Sequence, residues 1–136
     1  MNKADDLTFA REVVGGDPLA KHLDVQVEEV SHDHAVLSLA PKAHHLNSGG
    51  RVHGGTIYAL MDLAAAVAAN TGERRSWLVE GKVNFLTAAA PKTKLTARAA
   101  PVDIKRRLSL WEVRVESGGE LVAVGQMMAY HFKPKA

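Results

Sequence analysis

The sequence predicts an α+β fold in which an antiparallel sheet packs around one long buried helix. Three observations carry that prediction. One run of helical periodicity extends from Gly54 to Asn70; a pair of alternating segments reads as a hairpin before it; and four strand-like runs separated by polar turns follow it. The chain has 136 residues, 46% hydrophobic and 24% charged, the proportions of one ordinary globular domain. At this length roughly two-thirds of the unfolded surface can be buried without metal or disulfide staples. No repeat or flexible linker interrupts it, so residues 1–136 are expected to form a single domain.

Taken in order, Asp5 to Val14 reads as a short amphipathic helix ended by Gly15 and Gly16, with Leu7, Ala10 and Val14 on one side. Leu23, Val25 and Val27 alternate with Asp24, Gln26 and Glu28, and after the polar turn at Ser31 to His34 the alternation resumes at Ala35, Leu37 and Leu39. In the helical run, Ile57, Leu60, Met61, Ala64, Ala65 and Ala68 recur at helical spacing while Leu63, Val67 and Ala69 add apolar surface on other faces. A helix apolar nearly all round is a buried one; Asn70 and Gly72 supply residues for its C-terminal cap. The later strands are expected over Trp77 to Leu86, Lys92 to Val102, Arg107 to Glu116 and Glu120 to Phe132. The first and third carry one dry face each, Trp77, Val79, Val83 and Phe85 in one and Trp111, Val113 and Val115 in the other. Ser117, Gly118 and Gly119 form a hairpin turn between the last two strands.

Composition excludes whole classes of function. Without cysteine there is no disulfide scaffold, thiolate zinc site, iron–sulfur cluster or cysteine nucleophile. Seventeen Lys and Arg against fifteen Asp and Glu leave a net charge of only +2. The densest basic clusters, Arg74 with Arg75 and Lys105 to Arg107, are too short to make a nucleic-acid surface. Met1 to Ala10 carries Asp5 and Asp6 and no apolar core, so no secretory signal is expected; the apolar stretch Leu63 to Ala69 is too short to span a membrane. A cytoplasmic protein is expected.

The segment that carries chemistry runs from Asn47 through Gly49, Gly50, Arg51, His53, Gly54 and Gly55 to Asp62, joining a Gly-rich loop to the start of the buried helix. The first turn of a helix has backbone N–H groups without intrahelical partners and a partial positive charge. Glycines at 54 and 55 let an acceptor approach that backbone closely, as an oxyanion hole requires. Asp62 is a lone carboxylate further along an otherwise apolar helix. Burying it costs several kcal/mol unless it is partnered or its pKa rises, so it either serves assembly through a satisfied bond or works in a site. Taken singly, His53 reads equally as a helix cap and Asn47 as a turn residue.

Asn47, six residues before His53-Gly54-Gly55, and Asp62, nine after the histidine, resemble the signature of hotdog-fold acyl-CoA thioesterases of the phenylacetic acid degradation, or PaaI-like, type. The likeness covers roughly residues 20 to 132 and includes Val83 to Leu86, Lys105 to Leu108 and Gly119 to Ala123 with Gly125. It implies a sheet wrapped around a central helix. It also implies dimers joined sheet edge to sheet edge, often paired into homotetramers, with active sites at the subunit interface. Carried over, the Gly54 N–H polarises the thioester carbonyl, Asp62 acts as general base or direct nucleophile, Asn47 orients the attacking group, and His53 helps hold the thioester end. Gly55 and Tyr58 fall in the substrate-binding set, with Met61 and the strand from Trp77 to Phe85 near the acyl group. Arg51, Arg74, Arg75, Lys105, Arg106 and Arg107 are the cations available for CoA phosphates. No cofactor or metal is called for beyond the coenzyme A of the substrate, and no nucleic-acid or membrane partner is expected. Two departures stand out: Leu78 occupies a position where relatives often carry Ser or Thr, and Thr87-Ala88 follows Phe85-Leu86 where relatives have a proline, a change expected to alter only the exit of that strand. The competing readings are a non-catalytic acyl-CoA or acyl-carrier-protein binding module, which has no evident need of a buried Asp62, and a hydratase, which the Gly-Gly helix entry fits less well.

Overall fold

The computed structural model describes residues 3–133. Helix α1 (Lys3–Thr8) widens into a π-helical turn (Phe9–Val14), so the N-terminal helix starts earlier than its periodicity indicated. It is followed by a short α2 (Pro18–His22), which the sequence reading did not anticipate; Asp17 caps it by accepting from the Ala20 N–H, and Pro18 opens it. Strands β1 (Gln26–Ser31) and β2 (His34–Leu39) make the expected hairpin, although β1 begins only at Gln26. Asp33, at φ 63° in its turn, donates its N–H to Thr71 Oγ1 beyond the end of the central helix.

The central helix α3 spans Gly54–Ala69. Ile57, Leu60, Met61, Leu63, Ala64, Ala65, Val67, Ala68 and Ala69 are buried, and the helix packs against β2 and the later strands β3 (Arg75–Phe85), β4 (Leu95–Ile104), β5 (Leu108–Ser117) and β6 (Glu120–Phe132). One stripe escapes. Gly55 and Tyr58 are exposed and Asp62 and Ala66 half-buried, at the three- and four-residue steps that stack side chains on one face. The helix ends without a left-handed residue, because Asn70 (φ −110°) makes the cap with its side chain: Nδ2 donates to the Ala66 and Ser76 carbonyls and Oδ1 accepts the Ser76 N–H. Gly72 is not needed at positive φ.

All six strands form one antiparallel sheet in the order β1-β2-β4-β5-β6-β3. On β5 the alternation works as expected, with Trp111, Val113 and Val115 under the helix. The β5–β6 hairpin turns on Gly118 (φ 58°) and Gly119 (φ 81°), the two positive dihedrals of a type I′ turn. β3 corrects the expectation. A bulge between Leu78 and Glu80 shifts its register against β6, so Trp77 lies opposite Tyr130, which is exposed, while Val83 lies opposite Gly125, which is buried. The supposed dry face of this strand is therefore split. β3 is also the sheet's edge, and Trp77, Val79 and Phe85 stay 69%, 58% and 53% exposed. Among the described residues no helix is long and apolar enough to cross a membrane.

Candidate active site

The loop before α3 is organised by His45, a residue the sequence reading passed over. Its buried ring accepts the Lys42 N–H at Nδ1 and sets Nε2 against the Leu23 carbonyl at 2.9 Å. Its own carbonyl accepts from the His53 N–H and from Thr56 Oγ1, which draws the loop onto the first turn of the helix. Burial holds the His45 pKa below the ordinary imidazole value, so the neutral ring donates from Nε2.

Within that frame Asn47 closes a turn: its Oδ1 accepts the Gly49 and Arg51 N–H groups at 2.9 and 3.1 Å, leaving the Nδ2 group as its remaining donor. His53 is the N-cap of α3, and its Nδ1 accepts the Gly55 N–H at 2.7 Å. Gly55 is thereby occupied, whereas the Gly54 N–H has no hydrogen-bond partner among the described residues. Gly54 lies under Phe85, whose ring would stand 3.4 Å from a side-chain carbon at that position. Asn47, Arg51, Gly54, Ile57 and residues 85–89 line a groove of about 350 Å³. Thr87 and Ala88 are thus part of its wall, rather than a change confined to the exit of the strand.

Asp62 faces a different cavity. It lines a space of about 490 Å³ with Phe9, Val13, Asp17, Trp77, Leu78 and Phe132 among its neighbours. Burial lifts the Asp62 carboxyl above the ordinary carboxylate range, and the nearby Asp17 charge adds to the rise. Leu78 presents an apolar wall to this cavity, and Ser76 lines it from deeper inside.

The expected site residues therefore do not converge within one chain. Asp62 lies eight residues beyond Gly54 on the helix, about 12 Å along the axis at 1.5 Å per residue. Tyr58 lies between them on the open stripe, packed across Gly81. Arg106 and Arg107, both exposed, sit in the β4–β5 turn, where the Arg74 guanidinium binds the Arg106 carbonyl and the His131 N–H donates to the Arg107 carbonyl. That turn adjoins the C-terminal end of α3, a helix length of roughly 24 Å from Gly54. Two expectations fail outright. Arg75 is buried against Asp6 at 3.6 Å and over the Phe9 ring, so it is not available to a phosphate at the surface. Met61 is fully buried with its methyl group toward Gly125, away from either cavity.

A second feature missed in the sequence adjoins the Asp62 cavity. The Ser76 hydroxyl donates to the Ala69 carbonyl and lies 2.6 Å from His131 Nδ1; His131 Nε2 lies 2.7 Å from Ser109 Oγ, which accepts the Trp111 Nε1–H at 2.6 Å. Every group is satisfied if neutral His131 donates from Nδ1 and accepts from Ser109 at Nε2. Burial, and secondarily Arg74, lowers the His131 pKa in keeping with the neutral ring. The signal was present: His131 and Ser109 fall on the inward parity of β6 and β5 set by Met127, Ala129, Trp111 and Val113.

An antiparallel sheet wrapped around one long helix whose Gly-rich N-terminus opens into a groove is the hotdog architecture. The thioesterase superfamily model matches residues 49–124. A putative esterase of Archaeoglobus fulgidus is 30% identical over 115 residues, 84% of this chain and 75% of the relative. A mutant form of the phenylacetic acid degradation protein PaaI from Thermus thermophilus shares the fold at TM-score 0.82 with 31% identity, over 85% of this chain and all of that one. The PaaI protein of the phenylacetic acid degradation operon of E. coli superposes at TM-score 0.91 with 20% identity, over 98% and 97% of the two chains. The chain belongs to the thioesterase superfamily, and its resemblance to PaaI-like hotdog proteins is borne out. It is a thioester hydrolase.

Proposed function

We propose that the protein hydrolyses acyl-CoA thioesters of aromatic, phenylacetyl-like, or medium-chain acids, at a site completed by a second copy of the chain. The observation that carries this reading is the arrangement of the two cavities along the unpaired edge of β3. Trp77 and Leu78 border the Asp62 cavity at one end of the strand, and Phe85 borders the Gly54 groove at the other. If two β3 edges pair antiparallel about an axis near Gly81, residue 77 of one chain falls opposite residue 85 of the other. Asp62 would then face the Gly54 N–H of the partner subunit. Arg106 and Arg107, near the C-terminal end of α3, would lie on the side of the partner's groove, beside the partner's Arg51, where CoA phosphates could be met. The PaaI proteins among the structural neighbours favour an arylacetyl group.

In this reading the thioester carbonyl accepts the Gly54 N–H, reinforced by the positive end of the helix dipole. Asp62, as base, takes a proton from water while the water oxygen attacks the carbonyl carbon; the C–S bond then breaks and the thiolate leaves as CoA. As nucleophile, Asp62 would instead form a mixed anhydride that water cleaves. Asn47 offers Nδ2 to the incoming group, and His53 acts by holding the Gly55 N–H so that Gly54 presents its own. The apolar wall beside Asp62, with Phe9, Val13, Trp77 and Leu78, would receive the acyl group.

The test is release of free thiol from acetyl-, medium-chain, benzoyl- and phenylacetyl-CoA, with Asp62→Asn run beside the wild type. Turnover should be highest on the aromatic or medium-chain esters and fall by about a hundredfold or more in the variant, the scale of a lost general base. Full activity in Asp62→Asn would remove Asp62 from the mechanism.

A further inference from the structure

The Asp62 cavity contains a second carboxylate that neither the sequence motif nor the proposed chemistry uses. Asp17 precedes α2, and its Oδ1 accepts the Ala20 N–H at 2.9 Å, which fixes the side chain. Its Oδ2 makes no hydrogen bond among the described residues, and the residue lines the same cavity of about 490 Å³ as Asp62. The two acids reach that cavity from different elements, Asp62 from the open stripe of α3 and Asp17 from the loop between the π-helical turn and α2.

We propose that Asp17 is a positioning residue for the hydrolysis, acting on the attacking water through Asp62 as the second member of a carboxylate pair. The inference rests on the reading of Asp62 as the reactive carboxylate. Its physical basis is the behaviour of two acids in one poorly solvated space: a negative charge on the first disfavours ionisation of the second. Burial lifts the Asp62 carboxyl above the ordinary carboxylate range, and the Asp17 charge lifts it further. The other charged and titratable groups around the cavity do not offset this charge. Arg75, which also lines it, directs its guanidinium to Asp6, the Gly72 carbonyl and the Phe9 ring. On α3 itself the neighbouring ionisable group is Tyr58, about one turn earlier and exposed; Ser76 and Asn70 at the back of the cavity are neutral. Asp17 thereby makes Asp62 a stronger base for the water proton than burial alone would. The balance of the reaction is unchanged: the proton passes from water to Asp62 and on to the departing thiolate, and Asp17 exchanges none.

Asp17→Asn tests this cleanly, since asparagine caps a helix as well as aspartate does and only the charge is lost; Asp17→Ser is a second neutral capping variant. Two readouts are taken, the pH dependence of kcat/KM on the best CoA ester and the carbon-13 titration of the Asp62 carboxyl. In both variants the acid limb of the profile and the Asp62 titration should move to lower pH, with the plateau rate reduced about threefold to tenfold as base strength falls and the melting temperature unchanged. Superimposable titrations of Asp62 in wild type and variants would overturn the proposal whether or not the enzyme turns over. Absence of thiol release by the wild type on every ester would instead overturn the reading on which it rests, and the role of Asp17 with it.

Discussion

His131 shows what a polar side chain must do to occupy the dry face of this sheet. Its ring is clamped between Ser76 and Ser109, and it is satisfied only as the neutral tautomer. Protonation would turn Nε2 into a donor facing the Ser109 hydroxyl, which would then have to give up its own donor role. The consequence for stability has a definite sign. Both His131 and His45 are held below the ordinary imidazole value of 6.5 in the folded chain. Below that pH the unfolded chain binds protons that the folded chain does not, so stability is whole above pH 6.5 and declines as pH falls through it. Thermal unfolding between pH 7.5 and 5 should show the midpoint falling with acidification. In His131→Phe the slope should flatten, while the midpoint at pH 7.5 drops because two buried hydroxyls each lose one of their partners, a loss of about 1–3 kcal/mol. An unaltered slope in that variant would mean that His131 is not kept neutral by the fold.

At the level of elements, the close approach of β3, β6 and α3 depends on Gly125. A side-chain carbon there would stand 2.5 Å from the Lys82 carbonyl oxygen of β3 and 2.9 Å from the methyl of Met61 on α3. The methionine can yield; the strand backbone cannot without giving up its pairing. Gly125→Ala should therefore destabilise the fold by about 1–3 kcal/mol, as overpacking does, and loosen β3 where it forms the boundary of both cavities. Denaturant unfolding gives the first quantity, and amide exchange along β3 the second. Ordinary stability and unchanged exchange would show that the sheet absorbs the extra methyl elsewhere. The same dependence on neighbours explains why β3 misled the pattern reading. Its alternation is broken by the bulge at Val79, and among the described residues no strand completes its outer edge.

For the whole molecule, the edge of β3 is the surface on which the proposed activity depends. An eleven-residue edge strand carrying Trp77, Val79 and Phe85, paired on one side only among the described residues, is the kind of edge that proteins either protect or pair. Val79→Glu would set two carboxylates near the proposed axis and remove an apolar contact. Sedimentation should show the wild type as a dimer or a dimer of dimers and this variant as a monomer, with a native circular dichroism spectrum and no thiol release. A variant that is monomeric yet fully active would place the complete site within one chain.

Much of the architecture is legible in the sequence because it rests on local periodicity. Alternation in the first hairpin and on β5, the Gly118-Gly119 turn and the apolar run of α3 follow from local backbone geometry and from how side chains project from a strand or a helix, whatever lies beyond. The Gly-rich entry to α3 and the lone acid on it were also visible as residue types at a given spacing. What tertiary structure alone decides is which of these residues meet. Strand order places β3 at the edge, and the folded chain puts Gly54 and Asp62 on two different cavities. Asp17, Arg75 and His131 have their surroundings determined by segments distant in the chain. Spacing along one helix constrains distance within it, but charge, burial and hydrogen bonding depend on what packs across the space between elements, and that is a property of the folded chain.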